Sequence, residues 1–405
     1  MKGKPMSYLG KCISFLCLLM FALHATAAGP ATQPATQPIA GKVRLVLPPV
    51  VYAVPGIESN LYYDNVVLVL NPADYAFDVV CEKGMQLEER WTFTPKPEDV
   101  GDHRLDLCVL DESNAVIARG STIVRVTPVD AGGDRAVSML LVGASLTQAG
   151  IYPQHLVDLD EKDEHLQLKL IGSRGPGNAP ATGAVRFEGY NGWTAEAYVI
   201  FNGPLSRTGQ FQPGKTGSPF VYGDGADARL DFARYCKEFN GGSPPDVISI
   251  QLVVNEIFTA NDDTIEARVK NALDFLDKLI AEFRKFGPDT RIGVAMPLAP
   301  SRSQDGFRNY RGARHQTRWQ YRRNLHRAWE ALAEHYAGRE AEKIFLIPVY
   351  LNFDTRNHYL TDTSPANARS DQQVNRVRDG VHPAPAGYKQ IGDSIYCWMK
   401  AVMRG

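Results

Sequence analysis

Charge of one sign is what this 405-residue sequence lacks. Its 44 Lys and Arg stand against 45 Asp and Glu, a formal net charge of −1. Such a balance supplies no general pull toward nucleic acid or an anionic membrane. Cysteine is scarce as well, six in all. No CxxC and no Cys/His cluster with zinc spacing occurs, so nothing points to a structural metal. A membrane-spanning run is missing too. The apolar stretch from Cys12 to Leu23 falls short of the ~20 residues that a bilayer requires.

What is there begins with an export pattern. Lys2, Lys4 and Lys11 form a basic segment, Cys12 to Leu23 an apolar one, and Ala25-Thr-Ala27 a small-x-small cleavage site. Residues 1–27 therefore read as a secretory signal peptide, removed after Ala27. Neither Cys12 nor Cys17 has the small-residue context of a bacterial lipoprotein signal. A soluble exported protein is expected: periplasmic, cell-surface or extracellular, with no membrane span after cleavage. Four cysteines then remain, Cys81, Cys108, Cys236 and Cys397. An oxidising compartment permits a Cys81–Cys108 bridge. Two buried free thiols are an equal alternative, because cysteine packs as a small apolar residue.

Residues 28–42 repeat Ala-Thr-Gln-Pro and read as a Pro-rich linker that builds no core. Residues 43–130 look all-β. Apolar or alternating runs at 43–51, 65–70, 90–94, 102–110 and 122–126 are spaced as in a small β-sandwich. Tyr52, Tyr62, Tyr63, Tyr75, Phe77, Trp91 and Phe93 lie here. Core packing is the expected fate of most, with a sugar-binding face as the alternative.

After Asp130-Ala-Gly-Gly-Asp134 the pattern changes. Strands are predicted at 139–142, 166–172, 246–254, 291–297 and 344–351. Helices are predicted at 151–159, 194–201, 264–286, 315–336 and from about 385 onward. In the third of these, Ile265, Val269, Leu273, Leu276, Ile280 and Phe283 share one face, and Gly287-Pro288 ends it. Strands alternating with helices predict an α/β domain over residues 136–405, a parallel sheet covered on both faces.

The chemistry begins at Ser138-Met-Leu-Leu-Val-Gly-Ala-Ser-Leu-Thr147. A buried strand ends in Gly143, and Ser145 follows at its carboxyl end, where open α/β sheets place ligands. Serine is a weak nucleophile and needs a base, itself oriented by an acid. Asp379-Gly-Val-His-Pro383 offers both, Asp379 to orient and His382 to accept the proton. Taken alone, an Asp-x-x-His loop is more often merely exposed. His315, His326 and His335, on the Arg-rich helix, are expected to face solvent. Acyl transfer also needs oxyanion donors. Gly192 (turn residue or backbone donor) and Asn255 (helix N-cap or amide donor) are the candidates.

Gly143-Ala-Ser-Leu-Thr147, Gly189-Tyr-Asn-Gly-Trp-Thr194, Gln251-Leu-Val-Val-Asn-Glu256 and Asp379-Gly-Val-His-Pro383 occur in the order of the four sequence blocks of the SGNH (GDSL-type) hydrolases. The chain resembles that superfamily over about residues 138–403. The resemblance implies a three-layer, flavodoxin-like fold with Ser145 as nucleophile, His382 as base and Asp379 as its orienter. It implies oxyanion donors at the Ser145 and Gly192 N–H groups and the Asn255 amide, and no cofactor or metal. Ala144, Val253 and Glu256 depart from the family's usual Asp, Gly and Asp. The expected reaction is hydrolysis of O-acyl, chiefly O-acetyl, esters on a polysaccharide. Tyr190, Trp193, Tyr222 and the Arg-rich segment 302–323 are expected around a sugar cleft. For the arginines a solvated helix face is the commoner outcome. A lipid or short-chain acyl esterase is one alternative, though no long apolar lid is evident. A non-catalytic carbohydrate-binding protein with a decayed hydrolase fold is the other.

Overall fold

A computed structural model describes residues 43–202, 212, 215–310 and 316–404. The signal pattern and the Pro-rich linker lie outside the described residues.

The N-terminal β region holds several small sheets. Val50–Ala53, Val116–Val126, Gly101–Leu110 and Ala76–Val80 form one of four strands, in that order. Its first pair is parallel and the rest antiparallel. Ser59–Tyr62, Arg90–Phe93 and Met85–Gln86 form a three-stranded antiparallel sheet. Alternation along Gly101–Leu110 sends His103, Leu105, Leu107 and Val109 inward, as a period of two requires. Trp91 and Phe93 are core residues. Leu105, Leu107, Val124 and Val126 pack in the same cluster as Leu140, Val142 and Ile248 of the α/β part. One apolar core therefore runs through both regions. Cys81 and Cys108 are free thiols, as are Cys236 and Cys397.

The central sheet is parallel and runs Leu166–Ile171, Arg135–Gly143, Val247–Gln251, Arg291–Ala295, Ile344–Ile347. This is the flavodoxin-like order, in which the strand of this sheet that comes first in the chain lies second. Both faces are buried, which is why these strands read as continuous apolar runs. Leu140 and Val142 point into the core shared with helix Ile265–Phe286, and Met139 and Leu141 into the one beneath Ile151–Asp160 and Pro385–Met403. The result is three layers. The 265–286 helix buries Ile265, Val269, Ala272, Leu276, Leu279, Ile280 and Phe283 and leaves Leu273 half-buried. Pro385 opens the last helix, where its missing N–H costs nothing.

Three local expectations are corrected. The strand predicted over 246–254 stops at Gln251, because Val253 turns left-handed and a short helix, Val254–Phe258, begins. An antiparallel hairpin, Thr361–Pro365 with Gln373–Val377, stands where no element was assigned. His326 is 1% exposed and packs against Trp329 rather than facing solvent. His335 is half-buried beside Asp277, and His315 lies outside the described residues.

Candidate active site

Ser145 follows strand Arg135–Gly143, from which the chain passes to the neighbour on one side, Leu166–Ile171, and then back to the neighbour on the other, Val247–Gln251, the switch point at which open sheets leave a crevice. Gly143 is obligatory there. A Cβ on it would lie 1.9 Å from Thr147 Oγ1 and 3.0 Å from the Gln251 carbonyl. That tight turn lets Ser145 start a four-residue helix, Ser145–Gln148, immediately after the strand. Thr147 is held in turn by a 2.7 Å hydrogen bond with the Tyr152 hydroxyl.

The distant pair meets this serine. His382 Nε2 lies 2.9 Å from Ser145 Oγ, and His382 Nδ1 lies 3.0 Å from Asp379 Oδ2. The other carboxylate oxygen, Asp379 Oδ1, accepts the backbone N–H groups of Val381 (2.8 Å) and His382 (2.9 Å). The carboxylate is therefore fixed by its own turn, as aspartate in such turns often is. An ionised carboxylate only accepts, so Nδ1 keeps its proton and donates it in a hydrogen bond to Asp379, which leaves Nε2 as an acceptor facing the hydroxyl. The turn itself is gripped. The Ser301 N–H donates to the Gly380 carbonyl (3.1 Å), and the buried Phe307 ring lies so close to Gly380 that a Cβ would meet it at 2.5 Å.

Two further loops are tied to the serine turn, one of them through the other. The Tyr190 N–H donates to the Gly143 carbonyl (3.1 Å), which ties residues 189–193 to the serine turn. Gly189 presses against Gln148, with room for no Cβ. Gly192 is exposed at φ +78°, a conformation that favours glycine. Asn255 is the second residue of its helix rather than the N-cap, and its Nδ2 donates to the Trp193 carbonyl (2.8 Å). An amide nitrogen carries two N–H bonds, so one is spent on the loop and the other remains for a ligand. Val253 stands where the resembling family usually has glycine, yet it adopts the left-handed conformation that favours glycine, at φ 78° and ψ −27°. A β-branched residue there is strained by about 1–3 kcal/mol.

Two buried carboxyls underlie these loops. Glu256 Oε1 accepts the Ala195 N–H (2.7 Å), joining the Asn255 helix to the start of helix Ala195–Ile200. Burial pushes its carboxyl up to about 7, against the opposing pull of backbone N–H donors. Glu188 is fully buried and accepts from Ser173 N (2.6 Å), Ser173 Oγ (2.8 Å), Tyr190 Oη (2.6 Å) and Tyr235 Oη (2.8 Å). Desolvation raises its pKa, and these donors oppose the rise. The sequence marks Glu188 only as an acid directly before Gly189, among residues otherwise destined for a core.

The aromatic cleft is corrected. Tyr190, Trp193 and Tyr222 are only 0, 6 and 4% exposed. Tyr190 stacks on Trp193 at 4.1 Å, and Arg234 covers the Tyr222 ring at 4.4 Å. Their rings fill the layer under the loops because burial of large apolar faces outweighs what exposure would gain. Among the described residues no group of three or more His, Cys, Asp or Glu is placed to hold a metal ion. No described helix is long and apolar enough to cross a membrane.

The family model described as GDSL-like Lipase/Acylhydrolase matches residues 140–395. Among solved structures the chain is similar to the Clostridium thermocellum family 3 carbohydrate esterase, at 16% identity and a TM-score of 0.37, over 67% of this chain and 100% of that one. A carbohydrate acetylesterase family member from Sinorhizobium meliloti is similar at 14% identity and a TM-score of 0.37, over 66% and 99%. A possible lipase from Chitinophaga pinensis DSM 2588 is similar at 13% and 0.35, over 66% and 100%. No curated protein matches the chain. With the family model spanning more than half of its residues, and a serine at the switch point of a parallel sheet, the chain belongs to the GDSL-like lipase/acylhydrolase family.

Proposed function

We propose that the protein is an exported serine esterase that removes O-acyl groups, chiefly acetyl, from a carbohydrate. The observation that carries the catalytic part is His382 bridging Ser145 and Asp379 through its two ring nitrogens. Ser145 Oγ attacks the ester carbonyl while His382 Nε2 takes its proton. The tetrahedral oxyanion is met by the N–H groups of Ser145 and Gly192 and by the free amide hydrogen of Asn255. Collapse expels the alcohol, which receives the proton from His382 and leaves an acyl-serine. Water activated by the same imidazole then releases the acid and frees the serine.

What supports a bulky alcohol is exposure. The His382 side chain is 35% exposed and Asp379 25%, so the pair lies near the surface. An ester carried on a large sugar polymer can approach such a pair with its acyl group alone. What supports export is the residue pattern of 1–27 and the linker of 28–42.

The test is an assay of the mature protein, beside Ser145→Ala, on p-nitrophenyl acetate and on acetylated glycans. Release of acetate by the wild type and not by the variant is expected on both. Equal inactivity on every ester would remove the catalytic reading. Activity on long-chain esters with none on glycans would remove the carbohydrate.

A further inference from the structure

In the Arg-rich segment 302–323, Arg302 and Arg322 reach into the N-terminal β region, while Arg308 and Arg323 pair with Asp362 and Asp262 nearer the surface. Arg302 Nε lies 2.9 Å from Asp64 Oδ2, and its terminal nitrogen 3.1 Å from Glu89 Oε1. Arg322 pairs with the other Asp64 oxygen and donates to the carbonyls of Asp64 (2.7 Å) and Val67 (2.8 Å). Arg318 donates to the Arg302 carbonyl (2.7 Å). The Asp64 and Arg322 side chains are 10% and 6% exposed. Charges so far from water have paid for desolvation and hold only while each partner is present.

The place these contacts grip matters more than their number. Arg302 follows Ser301, whose N–H donates to the Gly380 carbonyl (3.1 Å), and the Arg302 N–H itself donates to the Thr355 carbonyl (3.3 Å). Phe307, five residues on, covers Gly380. A second route starts one residue beyond Asp64. Asn65 Nδ2 donates to the Tyr350 (2.6 Å) and Phe353 (2.8 Å) carbonyls. Phe353 packs against Gly387, in the first turn of the helix that follows His382. The N-terminal region thus holds the segments on both sides of residues 379–382.

We propose that Asp64 is a positioning residue for the Asp379–His382 turn, acting through Arg302 and the Ser301–Gly380 hydrogen bond, so that the N-terminal β region is part of the catalytic unit and not a separable module. This rests on the catalytic reading above. A displacement of the imidazole by about 1 Å costs on the order of 100-fold in rate, so a slackened turn shows in kcat before it shows in substrate affinity.

The test uses the full chain. Arg302→Gln leaves the Asp64–Arg322 pair intact and is the variant expected to fold. Asp64→Asn removes the anchor for both arginines and accompanies it. For Arg302→Gln, kcat on p-nitrophenyl acetate is expected to fall at least about 10-fold with KM little changed. The His382 ring signals in 15N NMR are expected to shift, and Arg302→Lys to recover part of the rate. A folded Arg302→Gln protein with unchanged His382 signals overturns the proposal whatever its rate. If the wild type hydrolyses no ester, the catalytic reading fails by itself, while the imidazole signals still report whether Arg302 holds the turn.

Discussion

His382 Nε2 lies 2.9 Å from Ser145 Oγ although the two residues stand 237 positions apart in the chain. Either alone is inert. A hydroxyl without its base is a poor nucleophile, and an imidazole without its carboxylate holds no fixed tautomer. Ser145→Ala, His382→Ala and Asp379→Asn are each expected to lower kcat by roughly 10⁴-fold, with the fold retained. Because the residues act as a unit, the Ser145→Ala/His382→Ala double variant is expected to be no slower than the worse single. Multiplying losses in steady-state assays would show that the two act independently.

Gly380 tests the platform beneath this pair. A methyl group there would meet the Phe307 ring at 2.5 Å, and Phe307 is fully buried with no room to retreat. Overpacking of this kind costs about 1–3 kcal/mol and moves backbone. Gly380→Ala is expected to lose most activity while still unfolding cooperatively, and Phe307→Ala in the same chain to restore part of it. Full activity in Gly380→Ala would mean that the turn tolerates displacement.

Val253 sets two effects of similar size against each other. Its left-handed backbone costs about 1–3 kcal/mol, which glycine would relieve. Its side chain is 2% exposed, and that burial is worth about 1.5–3 kcal/mol. Val253→Gly is therefore expected to lie within about 1 kcal/mol of wild type in urea unfolding. Val247→Gly, buried in an ordinary strand, is expected to cost about 3 kcal/mol or more. Equal costs at the two sites would show that Val253 carries no strain.

Glu256 gives a pH signature. Its carboxyl is raised from its ordinary 4.5 to about 7, chiefly by burial. Between these values the unfolded chain has released the proton and the native state retains it. The native state then binds more protons, so stability falls as pH rises. The contribution is fully present below about 4.5 and is lost as pH climbs through about 7. Glu256→Gln cannot ionise and still offers an oxygen to the Ala195 N–H. It is expected to gain on wild type by on the order of 2 kcal/mol between pH 5 and pH 8. Denaturation curves with the same pH slope for both proteins would sink this reading of the carboxyl.

Local pattern carried much of this molecule. Val142-Gly-Ala-Ser145 announces a strand, a turn and a serine at its tip, because a buried strand needs apolar residues and a tight turn needs Gly143. Asp379 and His382 are legible together, since three residues of turn bring a carboxylate to its own imidazole. The face of helix 265–286 follows from a period of 3.6, apart from Leu273, which lies at its margin.

Partners distant in sequence were decided by the tertiary structure alone. Composition marks Tyr190, Trp193 and Tyr222 as aromatic. Only packing says what a ring meets: here Tyr190 and Trp193 stack on each other, and Tyr222 is buried under Arg234. Residues 302–323 are visibly rich in arginine, yet a charge pattern does not name its counterion, and Asp64 lies more than two hundred residues earlier. The left-handed Val253 has no sequence signal, because its strain is offset by burial and by the loop that Asn255 and Glu256 hold on either side. What the sequence by itself determined was most strands and helices of the α/β part and the chemistry at their ends. Which ends meet, and which charges hold them there, was decided by the fold, because burial and electrostatics act between neighbours in space.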